Sequence, residues 1–167
     1  MSLFYPLFYK NAITAITVEE LTALGARGLL LDIDNTLTRH RSQEIGEDVR
    51  AWLARMKAAG FAMTLVSNST PRRVKPYADK LGLSCSYFSC KPLPLGYWRG
   101  VRRMKLKRKE CVAIGDQVFT DVVGAKLAGV KCIQVMPVEM ETGKPFLGFK
   151  RKLEARIIRK KREKLQR

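Results

Sequence analysis

Residues 28–38 read Gly-Leu-Leu-Leu-Asp-Ile-Asp-Asn-Thr-Leu-Thr. An aliphatic run that stops abruptly at acids is what a strand buried on both faces looks like where it emerges from a parallel sheet. A strand is therefore expected over 28–33. Side chains alternate along an extended chain, so Asp32 and Asp34 point to the same side and give two carboxylates at one strand mouth.

The neighbouring sequence continues as an alternation of strands and helices. Downstream, Val49, Trp52, Leu53 and Met56 recur at helical spacing and predict a helix over 46–59, stopped by Gly60. A second strand follows over 61–66. Thr70 and Pro71 then open a helix whose buried face is Val74, Ala78 and Leu81, ending at Gly82. A short strand over 84–88, a helix over 95–106, a strand over 110–114, a helix over 121–128 and a fifth strand over 131–135 complete the series. Upstream, Thr17 with Glu20 forms a capping box for a helix over 18–24. Strands alternating with helices at this spacing imply an α/β, Rossmann-like, three-layer fold with a five-stranded parallel sheet. Only one helix fits between Thr36 and Phe61, and only a helix and a short strand between Ser67 and Lys91, so no cap domain is expected.

Ligands of an open parallel sheet bind beyond the carboxyl ends of its strands. The first strand delivers Asp32, Asp34 and Thr36 there, the second Ser67, Asn68 and Ser69, the third region Lys91, and the fourth Asp116, with Asp121 five residues on. Clustered carboxylates need a cation between them, and an all-oxygen donor set suits Mg²⁺. A magnesium ion beside a lysine makes a place for a phosphoryl group, which a carboxylate could attack while its neighbour handles protons.

As a set, Asp32-x-Asp34-x-Thr36, Ser67, Lys91 and Gly115-Asp116 with Asp121 resemble the four motifs of the haloacid dehalogenase superfamily of phosphatases, in order, over roughly residues 28–135. The wording Leu31-Asp32-Ile33-Asp34-Asn35-Thr36-Leu37, Val66-Ser67-Asn68, Lys91-Pro92 and Gly115-Asp116-Gln117-Val118-Phe119-Thr120-Asp121-Val122 is similar to the YqeG family of subfamily IIIA. That family is in turn similar to mitochondrial-type phosphatidylglycerophosphatases. The resemblance implies Asp32 as the nucleophile that becomes aspartyl phosphate and Asp34 as the general acid/base, its backbone carbonyl on the metal. It implies Ser67 and Lys91 as catalytic phosphate ligands, with Thr36 and Asn68 beside them at the substrate, Thr36 ordering the loop. Asp32, Asp34, Asp116 and Asp121 make up the magnesium site, Asp121 directly or through water. The activity implied is Mg²⁺-dependent hydrolysis of a phosphomonoester, with phosphatidylglycerophosphate converted to phosphatidylglycerol.

Charge placement bears on the partner. The 167 residues carry a formal net charge of +17. From Arg99 to Lys109 there are seven basic residues and no acid, and from Lys144 to Arg167 eleven basic and two acidic; the remainder is almost neutral. We read residues 1–145 as the catalytic domain and 146–167 as a basic amphipathic C-terminal helix, with Phe146, Phe149, Leu153 and Ile157 on one face. With the aromatic stretch 1–9, these features suit an anionic membrane surface that an uncapped site would meet, and a phosphorylated lipid headgroup as substrate. A protein or nucleic-acid phosphate is the second reading. A non-catalytic RNA- or ribosome-binding module is the third, and it would need none of the strand-end acids. No run is long enough to span a membrane. The four cysteines form no Cys-x-x-Cys pair and His40 is the sole histidine, so the expectations are no zinc site, reduced thiols, and a cytoplasmic protein held peripherally at a membrane.

Overall fold

The computed structural model describes residues 3–39, 42, 44–139 and 156. Its six strands form one all-parallel sheet in the order β1-β6-β5-β2-β3-β4. They are β1 (Phe8–Lys10), β2 (Gly28–Leu31), β3 (Ala62–Val66), β4 (Ser84–Ser86), β5 (Cys111–Gly115) and β6 (Lys131–Val135). The helices are α1 (Val18–Ala23), α2 (Glu47–Ala58), α3 (Pro71–Leu81), α4 (Leu95–Arg103) and α5 (Val123–Leu127).

The alternation of β2 builds both layers of core. Leu29 and Leu31 face one way, into a cluster with Trp52, Leu53 and Met56 of α2 and Val74 and Tyr77 of α3. Leu30 faces the other way, against Tyr97 and Val101 of α4 and Ala125 of α5. Gly100 lets α4 lie flat on the sheet: a Cβ there would meet Leu30 Cδ2 at 2.4 Å and Thr64 Cγ2 at 2.8 Å. The capping box of α1 forms as expected, Glu20 N–H donating to Thr17 Oγ1 at 3.2 Å and Thr17 N–H to the Glu20 carboxylate at 3.1 Å.

The sheet has one strand more than the sequence suggested. Part of the stretch 1–9 enters it as β1, with Phe8 opposite Ile133 and Lys10 opposite Val135. The strand is three residues long and exposed along one edge, too short for alternation to show in the sequence. It is tied down at both ends, where Leu7 N–H donates to Cys132 O at 2.8 Å and Met136 N–H to Lys10 O at 2.9 Å. The helix expected over 121–128 also differs: a wide π turn over Val118–Val122 precedes a short α5. Among the described residues nothing beyond α2 or α3 forms a cap-like insertion after β2 or β3. The C-terminal helix expected over 146–167 lies outside the described residues except for Arg156.

Candidate active site

Asp32 follows Leu31 and shares the parity of Leu30, so its side chain emerges on the α4/α5 side of the sheet. There it meets Lys91, whose ammonium donates to Asp32 Oδ1 and, at 2.7 Å, to Asp121 Oδ1. All three groups are buried. Thr36, buried behind Asp32, donates its hydroxyl to Asp32 Oδ2 at 3.0 Å and so fixes the carboxylate's rotation.

Asp121 can reach back over β5 only because Gly115 has no side chain: a Cβ there would meet Asp121 Cγ at 2.4 Å. The π turn carries Asp121 into that space, where Gln117 N–H donates to Oδ2 at 3.1 Å and the Tyr97 hydroxyl lies 3.4 Å from Oδ1. Asp116, at the end of β5, is buried, and its backbone carbonyl accepts from Gln134 Nε2 at 3.1 Å. One carboxylate oxygen from each of Asp32, Asp116 and Asp121 lies within 4.8 Å of the others.

Burial pushes the Asp32 carboxyl up to about 6; Lys91 pulls it down, and the Asp121 charge adds to the rise. Burial works against the charge on Lys91, but Asp121 and Asp32 outweigh it and the ammonium titrates above its ordinary range. Three buried carboxylates facing one ammonium leave a formal charge of −2 at the site. A low-dielectric pocket does not tolerate that without a counter-ion. Hard oxygen donors, their spacing and the missing positive charge all fit a magnesium ion held by Asp32, Asp116 and Asp121. The Asp34 carboxylate stands outside this trio, bonded instead to Arg73 from the first turn of α3.

A cleft of about 440 Å³ opens over these groups, lined by Asp32, Asp34, Ser67, Asn68, Arg73 and Lys91 among others. Ser67, at the end of β3, accepts from Ser69 N–H at 3.1 Å and lines the cleft. Asn68 grips both sides of the Lys91 backbone: Lys91 N–H donates to Oδ1 at 2.6 Å and Nδ2 donates to Lys91 O at 3.1 Å. Every residue singled out from the sequence thus lies at this one edge of the sheet, Thr36 and Asp116 standing behind the cleft wall.

The sequence reading missed Arg73, Tyr97, Gln117 and Gln134. Arg73 was within reach, since the first turn of a helix that follows a strand end faces the same rim. The other three act through backbone or supporting contacts that carry no motif.

A family model described as haloacid dehalogenase-like hydrolase matches residues 43–129, just over half of the chain. The chain belongs to the haloacid dehalogenase-like hydrolases. This hydrolase is 39% identical over 152 residues, 90% of its own length and 87% of the relative's, to a protein of Bacillus subtilis named probable phosphatase YqeG. The family match and this relative together support a phosphatase. Among solved structures it is similar to the cobalt-bound deoxy-D-mannose-octulosonate 8-phosphate phosphatase of Haemophilus influenzae, with a TM-score of 0.55, 11% identity and coverage of 67% of this chain and 69% of that one. It is also similar to CbbY of Rhodobacter sphaeroides, with a TM-score of 0.52, 15% identity and coverage of 74% and 91%. At such identities these two likenesses speak for the fold alone.

Proposed function

We propose that the protein is a Mg²⁺-dependent phosphomonoesterase that works through an aspartyl phosphate on Asp32, with phosphatidylglycerophosphate as its substrate. The observation that carries the chemistry is the Lys91 ammonium shared between Asp32 and Asp121 on the floor of an open cleft. The magnesium ion, when bound, neutralises phosphoryl oxygens and keeps Asp32 ionised. An Asp32 oxygen attacks phosphorus, the ester P–O bond breaks, and Asp34 gives its proton to the departing alkoxide. Asp34 then takes a proton from water, whose oxygen attacks the same phosphorus, releasing phosphate and restoring Asp32. Lys91 and the Ser67 hydroxyl hold the equatorial oxygens, and Arg73 orients Asp34 at the rim.

The lipid reading rests on access and charge. A cleft with no cap among the described residues admits a phosphate that projects from a large surface, and the basic stretch 99–109, which runs along α4 from the cleft side of the sheet toward the start of β5, favours an anionic one. No helix of the described residues is long and apolar enough to cross a membrane, which suits peripheral attachment. The decisive measurement is phosphate release from phosphatidylglycerophosphate in mixed micelles with Mg²⁺. Turnover well above that of soluble phosphomonoesters supports the assignment; equal or better turnover of the soluble esters overturns it. Asp32→Asn should lower turnover by about 10⁴-fold or more with the fold retained, and chelation of the metal should do the same. Surviving activity in that variant would remove Asp32 from its role.

A further inference from the structure

The loop between β4 and α4 carries Lys91 into the cleft, and the outer side of this loop and of the first turn of α4 displays a set of apolar groups. Phe88 is 52% exposed, Leu93 52%, Leu95 51% and Trp98 42%. Phe88 lies three residues before Lys91 and Leu93 two residues after, so both stand on the loop that delivers the Lys91 ammonium to the site.

The display is rigid. Phe88 sits at φ 44°, a left-handed backbone that a bulky aromatic residue adopts only under constraint. The constraint is visible: Phe88 N–H donates to Ser69 O at 3.0 Å, and Arg99 Nη2 donates to Tyr87 O at 3.1 Å and Phe88 O at 2.9 Å. Trp98 is steadied by its indole N–H on Ala128 O at 3.2 Å. Between these side chains runs a shallow groove of about 470 Å³, lined by Phe88, Leu95, Trp98, Arg99 and Arg102.

We propose that this face, Phe88, Leu93, Leu95 and Trp98 with Arg99 and Arg102 around them, docks on an anionic lipid bilayer with the active-site mouth turned toward the headgroups. Exposed leucines beside an aromatic pair want hydrocarbon, which neither a phosphate backbone nor stacked bases supply. Trp and Phe at the level of the headgroups, with arginines above them, match the chemistry of the interface. A second copy of this chain is a poor occupant, because a two-fold contact would bring Arg99 and Arg102 of the face close to their own copies with no acid in the groove lining to offset them. The stretch 144–167, at eleven basic residues to two acidic, is repelled for the same reason. The proposal extends the lipid-phosphate reading, and the two fail separately.

The test uses the full chain with sedimentable vesicles of mixed phosphatidylglycerol and phosphatidylcholine, and of phosphatidylcholine alone. Binding is expected to the mixed vesicles only, and the double variant Phe88→Ser, Leu95→Gln should bind them about tenfold more weakly or worse. Its hydrolysis of p-nitrophenyl phosphate with Mg²⁺ should stay within about twofold, since neither side chain lines the catalytic cleft. Brominated lipid should quench Trp98, because Trp52, the other tryptophan, is buried between α2 and the sheet; Trp98→Phe should abolish that quenching. Unchanged vesicle binding in the double variant, or no quenching of the parent protein, overturns the proposal. So does a parent dimer that the double variant dissociates, or RNA binding lost in that variant where vesicle binding is absent. Vesicle binding through this face without turnover of phosphatidylglycerophosphate would keep the surface and remove the substrate.

Discussion

Two groups of charge, one at the sheet edge around Lys91 and one along α4, obey opposite rules. At the sheet edge, Lys91 is buried between Asp32 and Asp121, each contact fixed by a second one from Thr36, Gln117 or Tyr97. Along the outer surface of α4, Arg102 and Arg103 point into solvent and belong to a run of seven cations without an acid. Buried charges act as individuals, because removing one leaves its partner uncompensated in a poor dielectric. Exposed charges of one sign act as a field, with no single member decisive and with salt able to screen the whole. One chain thus serves chemistry through exact partners and attraction through number.

Substitutions can break that contrast. Lys91→Met leaves Asp32 and Asp121 facing each other and should cost about 3–5 kcal/mol, roughly 10 °C in melting temperature for a chain of this size, together with activity. A loss under about 1 kcal/mol would mean that the buried group behaves like a surface pair. Gly115→Ala drives a methyl group into Asp121 and should cost about 1–3 kcal/mol by calorimetry, with phosphatase activity falling more steeply than stability. Asn68→Ala releases both sides of the Lys91 backbone; a stability loss of about 1–3 kcal/mol is expected in chemical denaturation, with a larger proportional fall in kcat than in KM. Arg102→Gln should change stability by no more than about 0.5 kcal/mol and leave hydrolysis of a small soluble ester unaltered. A larger shift in either would show that this arginine has a fixed partner after all.

Cysteines sharpen the same contrast between inside and outside. Cys132 is buried, which raises its thiol well above the ordinary range, and burial lifts Cys111 to about 11. Cys90, exposed in the Lys91 loop, should take up a maleimide in the native protein while Cys111 and Cys132 stay unmodified, as mass spectrometry of the labelled chain would show.

Much of this arrangement could be read from the chain. The run Leu29-Leu30-Leu31 announces a strand covered on both faces, and parity already puts Asp32 and Asp34 on one side, which the fold shows to be the α4/α5 side. The stripe Val49, Trp52, Leu53 and Met56 places α2 correctly, and its four residues are all buried. Period and burial are local properties of sequence, so they survive without knowledge of the fold. β1 did not survive in that way: three residues have no period, and only β6, more than a hundred residues away, supplies the register. The π turn was equally hidden, because the room that Asp121 occupies is left by the missing side chain of Gly115, a relation across space that carries no local period.

The sequence by itself determined which groups arrive at the carboxyl edge of the sheet, since strand ends and their acids are written in consecutive residues. Only the tertiary structure decided how those groups divide their work. It gave Lys91 to both Asp32 and Asp121, set Arg73 against Asp34, turned Asn68 onto the Lys91 backbone and left four apolar side chains facing outward beside the cleft. Those choices depend on distances between segments that packing alone brings together, and no order of residues along the chain contains them.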